Sequence, residues 1–412
     1  MRTVHGMRDN QLGFTLIEMI VVMAVFMAVL MITASAFDTI LKQSSKLFRS
    51  EESNIEGMIG LEIVRHDLQQ AGYGLFTEQP DPSTYADEAA GTPSSIYNDA
   101  PDNVPRPVVA GNNLASGTTV GTSTLIADSD YLAIKGTTVG RSSTAQKWTF
   151  LRISSNVVLP QQWVSDSENL TASPQERVVV IQKQFGTPAS STLVKDPSNN
   201  FYFDYSLTAF NGLAANAAAI YTAYGIDDTA LRFPFNRSDY FVAVPAAASS
   251  IPPVCAPGAG ILYKTTVRHT DGILQYIPVL DCVLDLQVVL GWDMNSDSVL
   301  DTYSNADGSA VSSGITEGTI ANVQAALTAT NNNSIATTPS IRNNLKMIKL
   351  YVIAQNGRRD PSYTSTSPMV IGDAGEASLT RPGGLTLAAN QLNYRWKQYR
   401  IVVRPKNLQA NQ

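Results

Sequence analysis

"QLGFTLIEMIVVMAVFMAVLMITASAF", Gln11 to Phe37, is the stretch from which the architecture follows. From Phe14 to Phe37 it carries a single charge, Glu18. A helix over those residues reaches about 36 Å, enough to cross a hydrocarbon core. A carboxylate that far into an apolar run costs roughly 2.5–3.5 kcal/mol on insertion scales, so Glu18 is a functional suspect. The one plausible processing point, Gly13, precedes the apolar run, whereas a secretory signal places its cleavage site after it. Charges on the two flanks are too balanced to orient the span.

The helical pattern continues past the apolar run. No proline occurs before Pro80, and Phe37, Leu41, Phe48, Ile55, Ile59 and Ile63 recur on one helical face. The expectation is a helix from about residue 14 to about residue 70, its first half against lipid or other subunits and its second half laying this stripe on a globular domain. Gly57 and Gly60 are expected to mark a bend, and "AGYG", Ala71 to Gly74, supplies the end signal. The division expected is 1–13, 14–74 and 75–412.

"GFTLIE", Gly13 to Glu18, resembles the class III signal of type IV pilins and of the pseudopilins of type II secretion. That resemblance implies a leader, residues 1–13, removed after Gly13 by prepilin peptidase. It also implies an N-methylated Phe14, and a Glu18 that pairs with the terminal amine of a neighbouring subunit. Opposite charges in a low-dielectric bundle favour such pairing strongly. "RHDLQQAGYG", Arg65 to Gly74, resembles PilW-type minor pilins and, more loosely, the J-type pseudopilin. Arg65 and Asp67 fit that segment and fit a solvated stalk equally well.

The fold implied is α+β and type IV pilin-like: a long N-terminal helix packed on a largely antiparallel β-sheet head with large loop insertions. The function implied is that of a minor pilin in pilus assembly or initiation, at or near the filament tip. A type II secretion pseudopilin and a tip-located adhesin or ligand-binding module are the alternatives. The expected partners are prepilin peptidase, other minor and major pilins and a PilY-type tip protein. The protein would sit in the inner membrane as a single-pass chain with a periplasmic head, and at the pilus tip after assembly. A head of about 340 residues is hard to repeat at every step of a narrow filament, which favours a minor role.

Composition agrees with a cored, non-basic protein: 412 residues, 44% hydrophobic, 16% charged, net charge −6. A nucleic-acid binder would show a basic patch or stripe. Beyond Leu75, β-rich runs alternate with Gly, Pro, Ser and Asn. Strands are expected in "YLAIKG" from Tyr131, "WTFLRI" from Trp148, "RVVVIQ" from Arg177, "FYFDYSL" from Phe201, "YFVAV" from Tyr240 and "ILYKTTV" from Ile261. "VLDLQVVLG" from Val283, "MIKLYVIA" from Met347 and "YRIVVRP" from Tyr399 complete the set. Residues 78–107, 304–340 and 360–390 read as surface excursions, with one short helix in "EGTIANVQAALTAT", Glu317 to Thr330.

Cys255 and Cys282 form a disulfide if the head lies outside the cytoplasm, and stay as buried thiols otherwise. In "WDMNSDSVLDTY", Asp293, Asn295, Asp297 and Asp301 occupy positions 1, 3, 5 and 9 of an EF-hand-type loop, with Val299 offering a carbonyl at position 7. Calcium is therefore a candidate cofactor, although Ser298 replaces the turn glycine and Ser304 the bidentate glutamate. Of three histidines only His269 falls in the head, too few for a zinc site or a Ser-His triad, and it reads as a surface or turn residue. No enzyme is expected.

Overall fold

The computed structural model describes residues 15–78, 85–86, 97–99, 104–154, 157–184, 190–215, 219–312, 318–329 and 339–409. A 55-residue α-helix, Leu16–Gln70, opens the described chain. By contacts the protein divides into two compact units, Met1–Asn54 and Ile55–Gln412. In the first unit the helix is long and apolar enough over Leu16–Leu41 to cross a membrane. Its large apolar side chains are all exposed, from Leu30 at 47% to Leu16 at 78%.

The second unit contains the remainder of the helix and the head. Gly57, Gly60, Leu61, Val64, Asp67, Leu68 and Ala71 are buried, at the three- and four-residue spacing of one helical face. Leu61, Val64 and Leu68 share a core with Leu132, Ile134, Val242, Leu262 and Leu280 of a large sheet. Each such side chain contributes roughly 1.5–3 kcal/mol. Ile59 and Ile63, expected on this face, are 64% and 42% exposed on the other side. Small residues set the register here: a Cβ on Gly60 would lie 2.1 Å from the Val279 carbonyl oxygen. The two glycines therefore let the helix approach the sheet, a role different from the bend expected of them. The helix ends where Gly72 and Gly74 adopt φ of +81° and +68°.

The head holds two antiparallel sheets. The larger has ten strands, ordered Val108–Gly111, Tyr131–Gly136, Asn236–Val244, Gly260–Val267, Leu274–Trp292, Leu345–Gln355 and Trp396–Val403, with three short strands at its margins. The smaller has six, ordered Val157–Pro160, Trp148–Ser154, Ile220–Asp227, Arg177–Gln184 and Ser190–Val194, with Phe203–Asp204 beside Arg177–Gln184. Strict alternation gives the large sheet two apolar faces. One bears Leu132, Tyr240 and Val242 toward the helix. The other bears Tyr131, Phe241 and Tyr263 in one cluster and Leu284, Tyr351 and Ile353 in another.

The segment expected as a 360–390 surface insertion covers this second face. Ile371, Leu379, Leu385 and Leu387 are buried against Tyr351 and Ile353. Glu376 accepts hydrogen bonds from Tyr351 Oη and Lys349 Nζ, both at 2.5 Å. From the 304–340 region, helix Ile320–Thr328, capped by Thr319, sends Val323 and Ala326 into the core. Residues 313–317 and 330–338 of it, and most of the 78–107 excursion, lie outside the described residues.

Gly60→Ala should lower the stability of the head. The gain in helix propensity is about 1 kcal/mol. Overpacking against an immovable carbonyl costs about 1–3 kcal/mol, and the backbone contact puts this site at the upper end. Thermal unfolding of the full chain in detergent checks this; a melting temperature equal to or above the parent's would contradict the packing argument.

Candidate functional site

Gly13 and Phe14, the expected cleavage and methylation positions, lie outside the described residues. Glu18 is in the first helical turn, where its Oε2 accepts from the Thr15 backbone N–H and from Thr15 Oγ1, each at 2.8 Å. Thr15 and Glu18 thus form a capping box, a pattern readable as T-x-x-E in the sequence. Only Oε2 is used in these bonds.

At the other end of the helix, Asp67 is 3% exposed. Its Oδ2 accepts from Tyr240 Oη at 2.7 Å and lies 2.6 Å from Lys264 Nζ. Tyr240 and Lys264 stand directly opposite each other on adjacent strands, so the carboxylate sits over one cross-strand pair. Arg65 fits the solvated reading, paired to Glu62 at 2.8 Å on the exposed side. His66 Nδ1 lies 3.5 Å from Asp67 Oδ1, and a hydrogen bond to that carboxylate raises the His66 pKa.

Cys255 and Cys282 are joined by a disulfide, with Cα atoms 4.9 Å apart. Cys282 has φ +56° where strand Leu274–Trp292 shifts register against Gly260–Val267, so the bond ties a loop to a bulge.

The expected calcium residues share one loop whose carboxylates hold its own backbone. Asp293 accepts from the N–H groups of Asp297 and Ser298, at 3.2 and 2.9 Å. Asp301 Oδ2 accepts from Met294 at 2.6 Å, and Asp297 Oδ1 accepts from Val299 at 2.8 Å. Asn295 Oδ1 accepts from Asp297 at 3.0 Å. Among the described residues no three His, Cys, Asp or Glu side chains gather as a metal site.

His269 is buried, contrary to the surface position expected of it. It is 4% exposed, packed at 4.6 Å on the Phe233 ring. The Arg232 N–H donates to its Nδ1 at 3.2 Å, which leaves Nε2 to donate to Asn236 Oδ1 at 3.2 Å. Burial, helped by the Arg232 charge, pushes its pKa down to about 3. The ring is therefore a neutral part of the core.

Two buried charge clusters went unread in the sequence. Lys135 and Arg237 are register partners on adjacent strands of the second face. Asp239 takes Arg237 through two bonds of 2.7 Å and accepts a hydrogen bond from Tyr131 Oη. Asp99 pairs with Lys135 and, at 2.6 Å, with Arg106. Opposite charges two residues apart, as in "NRSD", are the available signal for an inward-facing ion pair in a strand.

Residues 8–34 match the family model of the prokaryotic N-terminal methylation motif. The chain thus carries a prepilin-type N-terminus ahead of its apolar helix, and its head is antiparallel β, in keeping with a type IV pilin resemblance. Among solved structures, a type IV-like pilin from Thermus thermophilus aligns at 11% identity and a TM-score of 0.22, over 56% of this chain and 84% of that one. No curated protein sequence matches the chain.

Asp67→Ala should destabilise the head by about 3–5 kcal/mol, because Lys264 and Tyr240 lose their partner in a dry interface. Urea unfolding measures it, and a loss below 1 kcal/mol would mean that the pair is solvated. His269 predicts an acid limb. A buried neutral histidine contributes stability that is full above the unfolded-state pKa near 6.5 and falls, by up to ~1.4 kcal/mol per pH unit, as pH drops toward 3. His66, whose pKa is raised, acts in the opposite sense and more weakly because it is exposed. Between pH 7 and pH 5 the parent should therefore lose more stability than His269→Gln; parallel pH profiles would contradict the assignment.

Proposed function

We propose that the protein is a minor pilin of a type IV pilus that enters the filament at or near its tip and acts in assembly. The observation that carries this reading is the methylation motif at residues 8–34, leading into a helix whose apolar side chains are exposed over Leu16–Leu41. Such a surface demands cover. Lipid supplies it before assembly, and the equivalent helices of other pilins supply it afterwards. Prepilin peptidase would process the chain after Gly13, and a methylated Phe14 would become the first residue.

The head supports the minor role. Two sheets and a covering layer between Ile55 and Gln412 make a body that is costly to repeat at every filament step and unconstrained on its outer side at a tip. The Cys255–Cys282 disulfide fits a periplasmic and then extracellular location. Other minor pilins, the major pilin and a PilY-type tip protein are the assembly partners on this reading. Glu18 is the assembly contact: Oε2 is held by Thr15, and the amine of a neighbouring subunit would approach the remaining oxygen.

Glu18→Ala should be inserted and processed like the parent but depleted from sheared filaments by about tenfold or more, the ratio that ~1.4 kcal/mol of docking free energy produces. Quantitative mass spectrometry of membranes and sheared filaments reads both the abundance and the N-terminal peptide. Equal incorporation of the variant would remove Glu18 from assembly, and a parent chain that retains Met1 would overturn the prepilin reading itself.

A further inference from the structure

Three buried cations in the head face carboxylates: Lys135 faces Asp99, Arg237 faces Asp239, and Lys349 faces Glu376. Lys346, whose Nζ has no hydrogen-bond partner among the described residues, and Arg342 do not pair in this way; Arg342 is the one that lines the cavity described below. It is 5% exposed, yet its one hydrogen bond runs from Nη2 to the Phe76 carbonyl at 2.9 Å, and its Nε has no partner. No carboxylate among the described residues pairs with it. Burial alone pulls its pKa down, to about 10, so the group remains a cation at neutral pH. A buried guanidinium with an idle N–H and no carboxylate costs stability.

Arg342 lines a cavity of about 300 Å³ between the turn that ends the helix and the strand Arg177–Gln184. Lys183 contributes a second positive charge to it, Tyr73, Leu75, Ile181 and Tyr224 form apolar walls, and none of the lining residues is acidic. Lys183 is exposed and has no carboxylate partner among the described residues.

We propose that this cavity binds a carboxylate- or phosphate-bearing organic ligand, its oxyanion paired to Arg342 deep in the site and to Lys183 at the mouth. Guanidinium matches the planar fork of both oxyanions, and Arg342 makes only one hydrogen bond among the described residues. The cavity is at the small end of ligand sites and larger than a bare anion needs, so the ligand carries an organic portion for the tyrosine and aliphatic walls to cover. A bound ligand would couple the end of the helix to the smaller sheet. The proposal is independent of the pilin reading.

The test is thermal unfolding of the full chain in detergent at pH 7 and constant ionic strength. The additions are sodium chloride, sodium phosphate, phenyl phosphate, N-acetyl-alanyl-tyrosine as the free acid, and the same dipeptide as its amide. The melting temperature should rise with the logarithm of the concentration of phenyl phosphate or of the free acid, and stay level with chloride and the amide. A response to phenyl phosphate alone identifies a phosphate ester as the ligand class, and a response to the dipeptide acid alone identifies a carboxylate. A shift with inorganic phosphate equal to that with phenyl phosphate would overturn the organic portion of the proposal. Arg342→Met should abolish the rise and, relieved of an unpaired charge, melt at or above the parent in chloride. Lys183→Gln, a change at an exposed side chain, should weaken the rise and keeps the test decisive if Arg342→Met fails to fold. No shift with either organic anion, or an undiminished shift in the variants, would overturn the site.

Discussion

Asp67 over the Tyr240–Lys264 cross-strand pair is the interaction on which the packing of the second unit depends. The rest of the helix face is small or aliphatic: Gly57, Gly60, Leu61, Val64, Leu68 and Ala71. Aliphatic contacts alone tolerate sliding by a turn, since hydrophobic burial is non-directional. A carboxylate with one phenol and one ammonium in reach does not, because any slip leaves three polar groups unpaired in a dry interface. Gly60 complements this from one end: its contact with the Val279 carbonyl sets how close the helix lies. Together they determine where the helix ends, and hence where Phe76 and Thr77 join the smaller sheet, Thr77 N–H donating to the Ser191 carbonyl at 2.8 Å.

The same device recurs wherever an irregular segment is laid on a sheet. Asp99 anchors the stretch before the first strand by taking Lys135 and Arg106. Glu376 and Arg381 fasten the 360–390 layer, the first to Lys349 and Tyr351, the second to Asp285 at 3.0 Å. Segments rich in Ser, Thr, Asn and Gly bury little apolar surface of their own, and their ordering entropy is large. Charge-assisted bonds to buried strand residues offset part of that and impose one position. Arg342 stands outside this scheme because it fastens nothing but a carbonyl.

Legibility in the sequence tracked the range of the interaction. The apolar run, the helix end at "AGYG" and strands such as "YLAIKG" and "RVVVIQ" were readable because period and turn chemistry are local. Strand Ile220–Asp227, central to the smaller sheet, was not: "IYTAYGID" is dominated by Thr, Ala, Gly and Tyr, whose alternation is faint. The buried helix face was misread for a related reason. Ile59 and Ile63 dominate a hydrophobicity pattern, whereas Gly57 and Gly60, which decide the face, are nearly silent in it. Asp67 was ambiguous and His269 was misread as a surface residue, because a polar residue reads as solvated until its partners are known, and those of Asp67 lie 173 positions away in Tyr240 and further still in Lys264.

The capping box bears on how Glu18 could serve assembly on the proposed reading. A carboxylate bound by its own helix terminus is not thereby closed to a neighbour, because the geometry separates the two tasks. Thr15 takes Oε2 twice, and these bonds hold the side chain in one rotamer against the start of the helix. A carboxylate has about four acceptor sites, so an incoming amine need not displace Thr15. The cap then removes the rotamer entropy that a free glutamate would lose on pairing. On that reading local hydrogen bonding and subunit pairing would be additive: the T-x-x-E box stabilises the helix terminus in the lone chain and would orient the same charge for a partner in a filament.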